Sequence, residues 1–248
     1  MYNFCISLKK RIKDFMMAKN TLIAAYTANT NPAILTLDDS KNFNIVWGMK
    51  NFPQILIFPD PSNPFAHYRA KIKAVDKDTE KITLVDPISV NLPIGTIVKR
   101  APSYVEIQDV ILGDPTVIPA YPAITIEPSS RSHEWQTLLT TKESSVINFM
   151  VHVLEDNTEN AVLAGVRITE DLVDLLNADL HIKLDEMDKT PPDYPTAYNR
   201  PYNSLVRDVQ YGHTNKGAFL RSSLISWNAE THLLRMIAAR YPNIDDFV

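Results

Sequence analysis

Histidine, cysteine and carboxylate side chains are the groups of this chain best suited to metal binding or catalysis. No two of the six histidines lie three to five residues apart, the spacing at which one helix or turn presents two zinc ligands. His133 and Glu134 begin a pattern like HExxH, but Thr137 and Leu138 stand where the second histidine is needed. The sequence therefore predicts no catalytic residue and no metal site. The histidines are His67, His133, His152, His181, His213 and His232.

Two groups of polar side chains each leave two interpretations open. Asp185, Glu186 and Asp188 form an acidic cluster, which fits cation binding or acid–base chemistry, or a solvated strand end. We favour the strand end, because charged side chains are seldom buried without partners. His152 and His181 fall in predicted strands, where we expect half-buried or exposed sheet positions.

Basic residues gather on one predicted strand of the first half. Arg69, Lys71 and Lys73 alternate along it, and we expect Lys99 and Arg100 to lie near them. The group fits either a local anionic contact site or the solvated outer face of a barrel. We favour the solvated face, because aromatic residues are not interleaved as single-strand binders require.

Glycine and cysteine usage excludes further classes of chemistry. The chain has 6 glycines against 17 prolines, and the glycines form neither GxGxxG, nor a P-loop, nor a GxSxG elbow. Cys5 is the single cysteine, so an intrachain disulfide is impossible. We therefore expect no cofactor and no enzymatic activity. The glycines are Gly48, Gly95, Gly113, Gly165, Gly212 and Gly217.

The composition is that of a globular protein with a buried core. Of 248 residues, 45% are hydrophobic and 22% are charged, which argues against wholesale disorder. The formal net charge of -4 gives no global reason to expect nucleic-acid binding. No apolar run approaches the roughly 20 residues that a membrane-spanning helix needs.

Residues 1–20 are predicted to form an N-terminal extension. Phe4, Leu8, Ile12 and Met16 recur every fourth residue and would make one helical stripe, with basic residues between them. Such a helix can lie on a membrane surface, but we favour a short helical or disordered extension. It does not resemble a secretory signal, because its charges follow the apolar residues.

Residues 21–104 are predicted to form a small β-barrel-like module. Short alternating runs recur here with no helical pattern between them, and the proline-rich run PDPSNP reads as a loop. The turn sequence DKDTEK predicts a hairpin between two of the strands. The predicted strands are Asn44–Trp47, Gln54–Phe58, Tyr68–Val75, Ile82–Val85 and Gly95–Arg100.

Residues 105–248 are predicted to form an α+β domain, an antiparallel sheet packed with one or two helices. In its strongest strand, Ile147, Phe149, Val151 and Val153 make one apolar face, which indicates a sheet with one buried side. The predicted strands are Tyr121–Glu127, Glu134–Thr141, Ser145–Leu154, Leu180–Leu184, Ser204–Tyr211 and Ala218–Trp227.

A helix, a loop and one ambiguous stretch complete this half. The helix is predicted from Glu159 to Asn177. The proline- and tyrosine-rich loop Thr190–Tyr202 is predicted to be a surface arm, and Asn228–Arg240 fits either a helix or a prolonged strand. The apolar face of the helix is predicted to comprise Ala161, Val162, Val166, Leu172, Val173 and Leu176.

Four motifs follow one another between Tyr121 and Leu184: YPAITIEP, SSVINFMVHVLEDN, TENAVLAGVRITEDLVDLLNAD and LHIKL. Together they resemble the tail-terminator, or neck, proteins of tailed bacteriophages. In the first half, FPQILIF, AKIKAVDKDTEKITLV and IGTIVKR are similar to small β-modules of phage structural proteins. A β-module ahead of the terminator-like domain departs from the simplest members of the family.

The resemblance implies a virion structural protein with a tail-terminator-like fold. Six copies would close a ring at the head–tail neck, end the tail tube and join it to the connector. The implied partners are other copies and the tail-tube, sheath and connector or stopper proteins. DNA would pass through the lumen without sequence-specific binding, and no membrane is involved. Such a protein is assembled in the host cytoplasm and resides in the virion.

The contact surface implied by this resemblance involves both strands and the proline- and tyrosine-rich arm. The Ser145–Leu154 strand or the 204–227 hairpin would supply edges or a platform, and the arm would reach a neighbour. Tyrosine is favoured at such surfaces. The residues proposed for contact are Tyr194, Tyr198, Arg200, Tyr202, Phe149 and Trp227.

Three alternatives stay open at the level of the sequence. The chain fits another phage structural component, such as a stopper, connector or baseplate protein. It also fits a receptor- or carbohydrate-binding module. The third alternative is an enzyme whose site is assembled in space, with Asp185 and His181 as its first candidates.

Overall fold

Two β-sheets and two long helices form the described part of this protein, for which a computed structural model was obtained. The structure describes residues 2–43, 52–60, 62–63, 65–113, 118–135, 140–154, 159–178, 203–214 and 220–234. One sheet has six strands and belongs to the first half of the chain, and the other has five and belongs to the second. The predicted α+β class is confirmed.

The helices are α1, Tyr2–Met16, and α2, Glu159–Ala178, with short 3-10 helices η1, Lys41–Phe43, and η2, Pro102–Tyr104. The strands of the first sheet are β1 Lys19–Thr21, β2 Ile34–Thr36, β3 Gln54–Phe58, β4 Tyr68–Asp76, β5 Lys81–Leu84 and β6 Ile97–Arg100. The strands of the second sheet are β7 Asp109–Leu112, β8 Ala123–Trp135, β9 Thr140–Leu154, β10 Asn203–Thr214 and β11 Leu220–Leu234.

The first sheet curls on itself, as predicted for a barrel-like module. Its strand order is β1-β6-β3-β4-β5-β2, and every pairing is antiparallel. A bridge between Leu22 and Leu37 joins the two ends, where the Ile23 N–H donates to the Thr36 carbonyl at 3.0 Å. Joining the ends removes the open edges that a flat six-stranded sheet would expose. We call this unit the barrel.

The barrel interior is filled by side chains that face inward at every second position along the strands. In β3, Ile55 and Ile57 have no exposed surface, and in β5 the inward positions are Ile82 and Leu84. Tyr26 adds a polar contact, because its hydroxyl accepts a hydrogen bond from the Ile88 N–H at 3.1 Å. The barrel core comprises Ala18, Leu22, Tyr26, Ala33, Leu35, Leu37, Phe43, Ile55, Ile57, Ile72, Ile82, Leu84, Ile88, Leu92 and Val98.

The second sheet carries both long helices on one face. Its strand order is β10-β11-β9-β8-β7, antiparallel throughout except for the parallel pair β7 and β8. The predicted apolar face of β9 is confirmed, since Ile147, Phe149, Val151 and Val153 are all at most 6% exposed. These residues form one core with the buried residues of α1 and α2.

Helix α1 belongs to this second core. The predicted helical stripe is confirmed at Leu8, Ile12 and Met16, which have no exposed surface. The stripe is therefore covered by protein and packs with Ile107 and Val110. Among the described residues, no helix has the length and apolarity needed to span a membrane. The boundaries at residues 20 and 104 stay predictions.

Helix α2 buries a face that is rotated from the predicted one. Leu172 and Leu176 are buried as expected, but Val162, Val166 and Val173 are only half-buried. The helix turns other residues inward because it faces the end of the barrel as well as the sheet. Its buried apolar side chains are Ala164, Ile168, Leu172, Leu175 and Leu176.

Three predicted strands need correction or fall outside the described residues. A single strand over Glu134–Thr141 was wrong, because its start belongs to β8 and its end to β9. The ambiguous stretch from Asn228 continues β11 as far as Leu234. The predicted strands Asn44–Trp47 and Leu180–Leu184 lie outside the described residues.

Candidate functional site

The residues predicted for partner contact divide into two groups. Tyr194, Tyr198, Arg200 and Tyr202 belong to the predicted arm, all of which lies outside the described residues. Residues 179–202 also include the acidic cluster and His181.

Phe149 and Trp227 are described, and both are core residues of one subunit. Neither has any exposed surface, and their rings meet edge to face with centroids 6.0 Å apart and planes at 62°. This is a favourable aromatic geometry. The two rings therefore pack the second core and do not reach the surface of a single copy, and the contact role predicted for them stays a prediction.

Strand β9 lies inside the second sheet. It pairs with β8 on one side and with β11 on the other, so the prediction that Ser145–Leu154 could supply an edge was wrong. Within the part of the chain that the structure describes, the hairpin predicted over 204–227 does supply an edge, because β10 ends the strand order on that side. At this edge Arg207, Asp208, Gln210 and Tyr211 are exposed.

Three strands of the second sheet extend past the buried core. Strand β7 pairs only with the first four residues of β8, Ala123 to Ile126. Beyond them, β8, β9 and β11 continue together to Trp135, Thr140 and Leu234. We call this extension the distal sheet, made of residues 127–135, 140–146 and 228–234.

The long strands of the second sheet extend farther than the helix behind them can cover. At about 3.4 Å per residue a 15-residue strand such as β9 is roughly 50 Å long. The 20-residue helix α2 is only about 30 Å long, at 1.5 Å per residue. The described side chains of distal β8 are exposed, and they are Glu127, Pro128, Ser129, Ser130 and Ser132.

The face of the second sheet that points away from the helices carries both polar and apolar side chains. On β9, Val146, Asn148 and Met150 are half-buried there. Thr125 and His152 also point to this face, and their Oγ1 and Nε2 atoms are 3.0 Å apart. His152 is 6% exposed, so the expectation of a half-buried or exposed position was wrong. Its hydrogen bond is the reason a histidine is accommodated here.

The fold keeps part of the predicted basic group of the barrel together. Arg69 and Lys99 both lie opposite Leu56, on the two sides of β3. Lys99 makes an ion pair with Glu106 at 2.7 Å, and Arg69 lies over the Tyr104 ring at 5.3 Å. Each charge therefore has a local partner, which agrees with the solvated-face interpretation.

Arg100 does not belong to that outer face, and its inclusion in the basic group was wrong. Alternation along β6 turns Val98 and Arg100 to the buried side, and Arg100 is only 1% exposed. Its guanidinium carbon lies 3.7 Å from the centre of the Phe15 ring, on α1. A barrel residue is thus inserted against a helix of the second core.

Two charged residues of α2, Arg167 and Asp171, lie close to each other in the structure. Asp171 is 1% exposed, and its Oδ1 lies 3.2 Å from Nε of Arg167, one helical turn earlier. Burial raises the pKa of Asp171 to about 6, although Arg100 and then Arg167 favour its ionised form. We call the group of Phe15, Arg100, Arg167 and Asp171 the junction cluster.

Burial and neighbouring charges also act in opposite directions on the pKa of Arg100. Burial lowers the pKa of Arg100 to about 10, which the attraction of Asp171 opposes and the repulsion of Arg167 and Arg11 reinforces. Arg100 therefore remains charged at neutral pH. The sequence did not reveal this cluster, because no spacing along β6 or α2 marks Arg100 or Asp171 as buried.

Comparison with protein-family models and with curated proteins assigns no family to this chain. No protein-family model matches the chain, and no curated protein matches it. Across the described residues, no three histidine, cysteine or carboxylate side chains are grouped so that they could hold a metal ion.

Proposed function

We propose that this chain is a structural subunit of a tailed-phage virion, which forms a ring at the head–tail neck. The ring would end the tail tube and join it to the connector. The observation that carries the proposal is the second sheet, which has both helices on one face and extends past its own core. An extension of this kind offers backbone and polar side chains to a neighbouring copy.

The order of elements supports a tail-terminator-like fold. The motif YPAITIEP leads into β8, SSVINFMVHVL forms most of β9, and the helical motif forms α2. These are the segments that carry the resemblance to the neck proteins, and they are consecutive in one sheet-and-helix unit. The LHIKL motif lies outside the described residues.

Strand directions in the second sheet are compatible with a ring. Alternating antiparallel pairings from β8 to β9, β11 and β10 make β8 and β10 run in opposite directions. If β10 of one copy lay beside distal β8 of the next, the two would form an antiparallel ladder. Contacts between two different edges are heterologous, and such contacts close into rings when the rotation permits.

Distal β8 is the natural partner for that contact. Among the residues that the structure describes, no strand pairs with residues 127–135 of β8 on the side away from β9. Its exposed glutamate and serines keep a free copy soluble until the edge is covered. In this proposal the chain makes and breaks no bond in a substrate, and DNA passes through the lumen without sequence-specific contact.

Native mass spectrometry and negative-stain imaging of the full chain test the proposal. We expect a six-fold ring with about six times the 28.1 kDa mass of one chain. A closed ring with another number of copies would support assembly but indicate a stopper or connector. A stable monomer at all concentrations, in the presence of tail tubes as well as alone, would contradict the proposal.

A further inference from the structure

Two short connections join the barrel to the second core, one from α1 to β1 through Met17 and Ala18, and the other from β6 through η2. Strand β6 ends at Arg100, and η2 follows at once, packed between β3 of the barrel and α2. Ala101 has no exposed surface and Pro102 is also buried. Interactions at this second connection therefore help to fix the orientation of the barrel on α1 and α2.

The backbone of Arg100 belongs firmly to the barrel. Its N–H donates to the Ala18 carbonyl at 2.8 Å, and the next N–H, of Ala101, donates to the Gln54 carbonyl at 2.9 Å. The side chain leaves the barrel and lies on Phe15 of α1. One residue thus has its backbone in one unit and its charged group in the other.

The charges that face this guanidinium come from both helices. Asp171 attracts it, whereas Arg167 on α2 and Arg11 on α1 repel it. Glu170 and Asp174 act on Asp171 from the same helix. Of the three residues, Asp171 is the one that favours the charged guanidinium in this buried position.

We infer that Arg100 is an orientation latch, which holds the barrel in one position on α1 and α2 through Phe15 and Asp171. Removing two charges from water offsets much of their attraction, so such a pair contributes little net stability. It does distinguish one arrangement from others, because the attraction weakens as the two charges move apart. This inference goes beyond the proposed function and holds whether or not a ring forms.

Amide hydrogen exchange on the full chain at pH 7.5 tests the latch. The reporters are the N–H groups of Tyr104 and Val105, which donate within η2 to Ala101 and Pro102. In Arg100→Met we expect their exchange to accelerate about tenfold or more, the change that about 1.4 kcal/mol produces. Amides of β3 and β5 inside the barrel should keep their protection.

Matched variants separate the latch from a general loss of stability. Lys99→Met removes the neighbouring charge on the same strand and should leave η2 exchange within about twofold of the parent, as expected for a partly exposed pair. In an Asp171→Asn background, Arg100→Met should accelerate exchange less than it does in the parent chain, because the attraction is already gone.

If Arg100→Met does not fold, Phe15→Leu is the variant that tests the inference. It removes the ring beneath the guanidinium while keeping an apolar side chain, and it should accelerate η2 exchange and spare the barrel amides. Unchanged η2 exchange in Arg100→Met would overturn the inference. Equal acceleration in both cores, or the same effect in both Asp171 backgrounds, would overturn it as well.

Discussion

The guanidinium carbon of Arg100 lies 3.7 Å from the centre of the Phe15 ring, and this contact joins the barrel to the second core. Phe15 has no exposed surface and packs among the residues of the second core, whereas Arg100 ends a barrel strand. Close stacking of a buried cation on an aromatic face is favourable because the ring face is negative. The two sheets are therefore connected by a specific contact as well as by the chain.

Removing the Phe15 ring should cost far more than removing an exposed ring. We expect Phe15→Ala to lower the free energy of unfolding by about 3–5 kcal/mol, through the cavity and the lost apolar burial. Phe65→Ala is the control, since Phe65 is 91% exposed and its loss should change stability by less than about 0.5 kcal/mol. Urea unfolding measures both, and similar losses for the two variants would contradict the burial of Phe15.

Phe149 and Trp227 should behave as core residues. We expect Phe149→Ala and Trp227→Ala each to lower the free energy of unfolding by about 3–5 kcal/mol. Their edge-to-face contact should make the double variant non-additive by about 0.5–1.5 kcal/mol. The milder Phe149→Leu should keep the oligomeric state of the parent. If Phe149→Leu dissociated an oligomer without lowering subunit stability, a contact role would be favoured after all.

Stability should depend on pH through Asp171. Burial raises its pKa from 3.8 to about 6 in the folded chain, against the pull of Arg100 and Arg167. Between these values the folded state binds more protons than the unfolded state, so this contribution is present below pH 3.8 and lost as pH rises through about 6.

Asp171→Asn isolates that contribution. Urea unfolding from pH 4.5 to 8 should show the parent losing stability relative to Asp171→Asn as pH rises, by an amount on the order of 1–3 kcal/mol. Glu170 and Asp174, which act on Asp171 from the same helix, are present in both proteins. Two parallel stability curves would contradict a raised pKa for Asp171.

Changes at the β10 edge should act on assembly and spare the fold. Asp208 and Gln210 are exposed there, and Gln210 donates a 2.7 Å hydrogen bond to Asp208. We expect Asp208→Lys combined with Gln210→Lys to prevent ring formation, because unmatched positive charges on an exposed edge oppose its pairing with another strand. Thermal unfolding should shift only slightly. Lys77→Glu, on the barrel hairpin, is the control and should leave assembly unchanged.

The sequence predicted what depends on local pattern. The alternation of apolar residues in β9 predicted its buried face. Apolar residues at every fourth position of residues 1–16 predicted helix α1. It did not predict that α1 would enter the second core, because an amphipathic stripe does not identify its partner surface. The face of α2 was partly mistaken for the same reason, since this helix packs against the barrel end as well as the sheet.

The junction cluster could not be predicted because its members lie far apart in the chain. Arg100 ends a strand in a run of basic residues, and such a residue usually faces solvent. Asp171 reads as a polar position of an amphipathic helix. Their burial is a consequence of how the two sheets pack, which no spacing within either segment records.

The mass of the native assembly tests the central claim most directly. Native mass spectrometry of the parent chain, run beside the Asp208→Lys/Gln210→Lys variant, should show a closed ring for the parent and a folded monomer for the variant. A parent chain that stays a folded monomer, alone and with tail tubes, would contradict the claim that this protein works as a ring subunit.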